Sequence, residues 1–358
     1  LSLGKSARNT LIRRLNMHDI LVIGAGSIGE RHIRCFLKTG RARASVCEID
    51  RALLGRMEND YDLSQSYGDL GDALSSKPKA VVIAAPAHLH ISMAIQAVEA
   101  GCHLLIEKPL STDISGVEDL KRRVLEQRLV AQVGYTFRHH PLVAKVKDEI
   151  VQGRWGLPLQ LTIVSGQHFP AHRPAYREVY YARHETGGGA VQDGLTHFLD
   201  TAQWWLGSID RLTGDMEHLS LKGVEVEDTV NVLARHGDIM GSYHFNQHQY
   251  PDESVFTLVC ERGTLRLELC ANRLRIMDRP DGDWEDEISN AFERDDIFVS
   301  QANSFLDAIE GQPSIACTID EAKHTTSCHM ALLEEAKQSP RWQYVNKSES
   351  LIYERKNG

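Results

Sequence analysis

The sequence predicts a doubly wound α/β half with a parallel sheet, followed by a strand-rich α+β half. Three observations lead there. Short apolar runs alternate with helical stretches as far as position 138, a glycine-punctuated turn joins the first strand to the first helix, and apolar segments separated by turn residues recur after residue 158. A chain of 358 residues is long for one core and about right for two domains. The division read from the sequence is a basic extension over 1–16, a first domain over 17–138 and a second over 139–358.

The first strand is DILVIG (19–24), an Ile/Val run closed by glycine. It opens into Gly24-Ala25-Gly26-Ser27-Ile28-Gly29 and then the helical ERHIRCFLKTG, which ends on Gly40. ASVCEID (44–50) is the second strand. AVVIAAP (80–86), a helix over 89–101, HLLIEKP (103–109), a helix around 114–128 and VAQVGYT (130–136) continue the alternation. Strands joined through helices imply a parallel sheet with ligands at the carboxyl ends of its strands. Beyond 158, the segments 159–167, 227–236, 239–247, 254–262 and 263–269 read as strands, and 300–311 and 320–338 as closing helices.

Composition removes several functions. Asp and Glu outnumber Lys and Arg by 49 to 40, for a net charge of −9, which argues against charge-driven binding to nucleic acid. No apolar run reaches the roughly 20 residues of a membrane span. Seven cysteines (35, 47, 102, 260, 270, 317 and 328) lie scattered with no CxxC pair. They read as reduced thiols of a cytoplasmic protein, not as a disulfide frame or a metal site. Residues 1–16 are basic and lack acids, and are read as an extension upstream of Met17.

The glycine turn follows a strand and opens a helix, and Glu48 stands at the end of the next strand, roughly 20 residues beyond Gly29. That context is the dinucleotide fingerprint. Gly24 permits the tight turn, Gly26 the approach of a diphosphate, and Gly29 close packing of helix on strand. Ser27 and Ile28 complete the loop, and Ile49 follows the acid. A carboxylate at 48 holds ribose hydroxyls and repels a 2′-phosphate, so NAD is expected over NADP, although Arg51 nearby suits the phosphate. At later strand ends, Ala85, Pro86, His88 and His90 are expected on the nicotinamide side, the other reading being a solvated histidine pair at a helix start. In IEKPL (106–110), Lys108 ends a buried strand between Glu107 and Pro109, where it can stabilise negative charge on a substrate oxygen, and Glu107 and Lys108 are both expected to border the cofactor.

These stretches, together with GYTFRHHP (134–141) and GGGAVQDGLTHFLD (187–200), occur in the order of the glucose–fructose oxidoreductase / inositol dehydrogenase / MocA family, which the chain resembles. The resemblance implies an N-terminal Rossmann domain and a C-terminal α+β domain with a large, open, mostly antiparallel sheet. It maps the family's catalytic lysine, acid and histidine to Lys108, Asp193 and His197, with a cis peptide before Pro109. It also implies a homodimer or homotetramer formed through the sheet. One position departs: the family commonly has glycine two residues after the acid, where this chain has Leu195, with Gly194 one place earlier.

On a helix beginning near 192, Asp193 and His197 share a face. The expected reaction is hydride transfer between a secondary alcohol carbon and nicotinamide C4. His197 takes the hydroxyl proton, Lys108 binds the same oxygen, and Asp193 orients the substrate or the imidazole. The loop 165–185, which supplies His168, His172, Arg173, Tyr176, Arg177, Tyr180 and Tyr181, is expected with Arg138 to meet the substrate, a sugar, sugar derivative or polyol; its aromatic planes and paired donors suit a polyol and its arginines a carboxylate or phosphate. The other reading is a solvated arginine-rich loop. No metal is expected. Two further readings stay open: a regulatory protein that binds NAD(P) without turnover, and an enzyme cycling its NAD for a net non-redox, glycosidase-like outcome.

Overall fold

A computed structural model describes residues 17–288 and 293–336; the basic segment 1–16 and the end of the helix expected over 320–338 lie outside the described residues. Its first half is a parallel sheet of β1 (His18–Ile23), β2 (Ala42–Cys47), β3 (Ser66–Tyr67), β4 (Ala80–Ile83), β5 (His103–Ile106) and β6 (Ala131–Val133). The spatial order is β3-β2-β1-β4-β5-β6. Every strand read from the sequence of the first domain is present and ends at least a residue earlier than expected, with β1 and β2 also starting one and two residues earlier. The order reverses between β1 and β4, so a crevice opens at their carboxyl ends. Ile20, Val22, Val82 and Leu105 fill one face of this sheet, and Leu21, Ile23, Val81, Ile83 and Leu104 the other.

The second sheet has eight strands: β7 (Pro158–His168), β8 (Arg211–Glu217), β9 (Thr229–His236), β10 (Ile239–Asn246), β11 (His248–Cys260), β12 (Gly263–Glu268), β13 (Arg273–Met277) and β14 (Glu285–Ile288). Their order is β14-β13-β12-β11-β7-β10-β9-β8, antiparallel throughout except for the β7–β10 pair. A parallel pair needs a long crossover. Here the connection carries the helix Thr196–Leu206, which lies on the sheet with Phe198, Leu199, Ala202 and Trp205 against Leu161, Ile163, Tyr243, Phe245 and Phe256. The opposite face exposes Val164, Leu233 and Met240.

The two closing helices span Arg294–Ile309 and Ile319–Ala336. Although read with the second domain, the first of them buries Ala302, Phe305 and Leu306 in the core of the parallel sheet. The second serves both cores: Ile319 and Ala322 pack on the parallel-sheet side, Cys328 and Leu332 on the other. No helix among the described residues is long and apolar enough to cross a membrane.

Candidate active site

The glycine turn leaves β1 and enters the helix Ser27–Lys38 through Gly26, whose end of the helix carries no side-chain cap. A Cβ at Gly29 would overlap the Gly24 carbonyl, so helix and strand meet backbone to backbone there. Above Gly26 the space is open, with no heavy atom within 4 Å of where a Cβ would stand. Glu48 closes the cradle: its carboxylate accepts from the Ala25 amide at 2.7 Å and the Asp50 amide at 2.9 Å. Beside it Ile49 is 86% exposed, an apolar side chain left to solvent at the edge of the crevice. Uncapped amides at a positive helix end, open space over glycine and a carboxylate on the rim suit a diphosphate and ribose.

Past the end of β5, the Lys108–Pro109 peptide is cis. The Lys108 ammonium donates to the Asp193 carbonyl at 2.9 Å and to Asp193 Oδ1 at 3.0 Å, across 85 residues of sequence. Tyr180 donates its hydroxyl to the same Oδ1 at 2.8 Å. Burial works against ionisation of Asp193, but the Lys108 charge and the two donors outweigh it and hold the carboxyl below its usual range. His197 lies under Phe137, stacked at 4.8 Å between ring centroids, with Tyr135 edge-on at 6.1 Å. Burial and then the Lys108 charge push its imidazole down to about 3, so the ring is neutral. Its Nδ1 is buried with no hydrogen-bond partner.

Asp193 does not sit on an ordinary α-helix, which corrects the expectation of a helix starting near 192. Residues Val191–Leu195 form a wide π-helical turn, and the α-helix begins at Thr196. Such turns accommodate an extra residue and recur at functional sites. Here Leu195 is driven into the core, while Gly194 lies on the Phe245 ring, where a Cβ would clash. The wide turn satisfies both and leaves Asp193 partly exposed toward Lys108. The preceding glycines permit the approach. Gly187 and Gly189 have φ of +94° and +89°, and side chains there would meet Ala87 and Glu227. Gly188 lies against the Tyr181 carbonyl, where a Cβ would overlap it. Glu227 accepts from the Val191 amide at 2.8 Å and lies 2.5 Å from His184 Nε2, bracing the start of the turn.

Several expected contacts fall elsewhere. His90, expected beside the nicotinamide, is 1% exposed, with Nδ1 3.0 Å from the Pro109 carbonyl oxygen and Nε2 2.8 Å from that of Ala85. It ties the two strand-end loops together behind the crevice. Glu107 is likewise buried, its carboxylate 2.6 Å from His32 Nε2 and accepting from the Lys108 amide at 3.1 Å. Arg138, expected at the substrate, is buried. It grips Asp200 through Nε at 3.0 Å and Nη2 at 2.7 Å, and Glu321 through Nη1 at 2.9 Å. Tyr176 is 2% exposed and donates to the Lys222 carbonyl. Arg177 donates to that carbonyl as well, at 2.6 Å, and lies over the Tyr176 ring. His168 stacks on Tyr250 at 4.3 Å at the end of β7. In each case a residue type suited to polyol or anion binding is already engaged by the protein.

Pro86 and His88 are exposed, and Pro86 lines a cavity of about 300 Å³ with Arg177, Tyr180, Arg183 and Thr186. Tyr180 is the main addition to the site. The sequence offered it only as one aromatic among many in the 165–185 loop. Glu227 carried no sequence signal at all, since its partner Val191 is 36 residues away.

Known proteins align with this arrangement. Residues 18–135 match the description "Oxidoreductase family, NAD-binding Rossmann fold", and residues 143–266 match "GFO/IDH/MocA C-terminal domain". Inositol 2-dehydrogenase of Corynebacterium glutamicum is 31% identical over 193 residues, 52% of this chain and 53% of the relative. Levoglucosan dehydrogenase of Pseudarthrobacter phenanthrenivorans is 26% identical over 199 residues, 53% of this chain and 51% of the relative. The chain thus spans about half the length of these curated relatives. A solved levoglucosan dehydrogenase, in complex with NADH and levoglucosan, superposes with a TM-score of 0.82 at 20% identity, covering 89% of this chain and 97% of that one. With a Rossmann half and a sheet half each matched in sequence, the chain belongs to the Gfo/Idh/MocA oxidoreductase family.

Proposed function

We propose that the protein is an NAD-dependent dehydrogenase that moves a hydride between a secondary alcohol of a sugar, sugar derivative or polyol and nicotinamide C4. The observation that carries this reading is the meeting of Lys108 with Asp193 at the carboxyl end of the parallel sheet, with a neutral His197 one turn on. The relatives named for inositol and levoglucosan support the substrate class. Glu48, with Gly24, Gly26, Ser27, Ile28, Gly29 and Ile49, forms the cradle for NAD, and Ala85 and Pro86 flank its nicotinamide end.

NAD, when bound, supplies the hydride acceptor. The chain's own residues manage the substrate oxygen. Lys108 donates a hydrogen bond to it and favours its developing negative charge, while Asp193 and Tyr180 fix where the ammonium points. His197, uncharged and enclosed by Phe137 and Tyr135, takes the hydroxyl proton as the hydride leaves carbon, which balances the conversion of alcohol to carbonyl. Ketone reduction uses the same groups in reverse. A screen of sugars and polyols with NAD and NADP, read by the absorbance of reduced nicotinamide, tests this. Lys108→Ala should lower turnover on the best substrate by about 10²–10³-fold and His197→Ala by at least about 10²-fold. Wild-type turnover in both variants defeats the assignment.

The open face of the eight-stranded sheet is assigned to a second copy of the chain, because Val164, Leu233 and Met240 stand exposed on neighbouring strands. Light scattering should return a dimer or tetramer for the wild type and a smaller species for Leu233→Arg. A monomeric wild type rules it out.

A further inference from the structure

A helix commonly carries its own cap, a Ser, Thr, Asp or Asn whose side chain takes the free amides of the first turn. The wide turn Val191–Leu195 has none: Ala190 precedes it without a side-chain cap, and Gly187, Gly188 and Gly189 have no side chain to offer. Its first amides are taken from 36 residues away. Glu227 Oε1 accepts from the Val191 amide at 2.8 Å, and the Glu227 carbonyl accepts from the Ala190 amide at 2.9 Å. Gly189 makes room for this carboxylate, since a Cβ there would stand 2.5 Å from Oε1. The other oxygen, Oε2, lies 2.5 Å from His184 Nε2, and the Gln192 side-chain amide donates to the His184 carbonyl at 3.0 Å.

Glu227 is itself firmly placed. It is buried just before β9, and the next residue, Asp228, accepts from the Leu219, Ser220 and Leu221 amides at 3.0, 2.7 and 2.8 Å. The Asp228 carbonyl accepts from the Gln247 amide at 2.9 Å, between β10 and β11. On the far side of the wide turn, the Asp193 carbonyl, a backbone atom, accepts from the Lys108 ammonium at 2.9 Å. Hydrogen bonds and the short backbone of the turn thus lead from the eight-stranded sheet, through Glu227, to a lysine of the parallel-sheet half. A serine in the loop would steady the helix end at no cost in buried charge. A carboxylate anchored beside the sheet also fixes where the turn stands, and with it the carbonyl that Lys108 meets.

We propose that Glu227 is a positioning residue for the reaction: by holding the Val191 amide it sets where the Asp193 carbonyl keeps the Lys108 ammonium against the substrate oxygen. His184, on the second carboxylate oxygen, keeps the first turned to the amide. This role rests on the dehydrogenase reading above and adds to it a residue that acts only through the turn.

Steady-state kinetics on the fastest substrate of a screen that includes inositol, levoglucosan and D-glucose test this, with NAD affinity measured separately by calorimetry. Glu227→Leu, close in size but without an acceptor, should lower kcat by about 10–10²-fold, the effect of displacing a reacting group by about 1 Å. KM and the NAD dissociation constant should stay within about twofold, because the lost interaction serves the transition state and not binding. Glu227→Gln, whose amide oxygen can still take the Val191 amide, should return kcat to within about threefold of wild type. In a Lys108→Ala background, Glu227→Leu should cost no more than about twofold, since the group it positions is gone. Should Glu227→Leu not fold, Glu227→Asp, which draws the acceptor back by one carbon, carries the same expectations. An unchanged kcat, an equal loss in both Lys108 backgrounds, or a Glu227→Gln protein as slow as Glu227→Leu overturns the positioning role and leaves the dehydrogenase reading standing. So does a loss confined to KM or NAD affinity. A wild type that reduces NAD with no sugar or polyol of the screen defeats the dehydrogenase reading, and this role with it.

Discussion

Tyr180 shows how a single hydroxyl can set the chemistry of its neighbours. It shares Asp193 Oδ1 with Lys108, so the carboxylate stays ionised despite its surroundings. Removing the donor in Tyr180→Phe should raise the ionisation point of Asp193, because a hydrogen bond to the charged form favours that form. The acidic limb of kcat/KM should therefore move to higher pH, and an unmoved limb would show that Tyr180 is a spectator. His197 behaves differently. With its proton affinity pushed down to about 3, it contributes no inflection near 6.5 in the free protein. At this scale the sequence was most informative about Lys108, Asp193 and His197, which carry a motif. It misjudged Arg138, Tyr176 and His90, whose side chains suit ligands equally well but are spent on Asp200, the Lys222 carbonyl and two loop carbonyls. Residue type alone does not reveal which partner a donor finds.

Between elements, the contact that most directly sets the site is the pair His32–Glu107, which fastens the glycine-loop helix to the segment carrying Lys108. Burial opposes the Glu107 charge, and His32 restores it, holding the carboxyl below its usual range. His32→Leu strands that carboxylate and should cost on the order of 3–5 kcal/mol of stability, measured by denaturant unfolding. A loss under about 1 kcal/mol would mean the pair adds little beyond packing. In the parallel sheet, β1, β4 and β5 were legible because their apolar runs are nearly continuous, whereas the two-residue β3 (Ser66–Tyr67) carries no such run and was not read. The strands β8, β13 and β14 were not legible either, since Arg211–Glu217, Arg273–Met277 and Glu285–Ile288 are rich in charge, and β8 and β14 are the two edges of the sheet, where charge is common. The π-turn was also hidden: it follows from Leu195 and Gly194 finding places on opposite walls, and Phe245 belongs to β10, a separate element far along the chain from Gly194.

Across the whole molecule, enclosed histidines tie stability to pH. His139 and His329 are 6% and 2% exposed, and burial, followed by the charges of Arg138 and Lys108 respectively, pushes them down to about 4 and about 3 from an ordinary 6.5. Below 6.5 the unfolded chain takes up protons that the folded chain refuses. Stability is therefore full above that pH and lost as pH falls toward 4, by up to about 1.4 kcal/mol per pH unit for each such group. Thermal melts from pH 7 to 4.5 should fall steadily, and His329→Leu should flatten the decline; a flat wild-type profile would contradict the burial of these rings.

The return of the helix Arg294–Ile309 to the first core also bears on how such proteins can be recombined. The eight-stranded half is, in effect, a long insertion between two parts of the parallel-sheet half. Exchanging it with a relative's at a single junction near 138 would also import a foreign closing helix, set where Phe305 and Leu306 seal the parallel sheet. Two junctions, the second just before residue 294, keep the helix Arg294–Ile309 with its own sheet, while the helix Ile319–Ala336, which packs on both cores, becomes the surface to be matched to the grafted sheet.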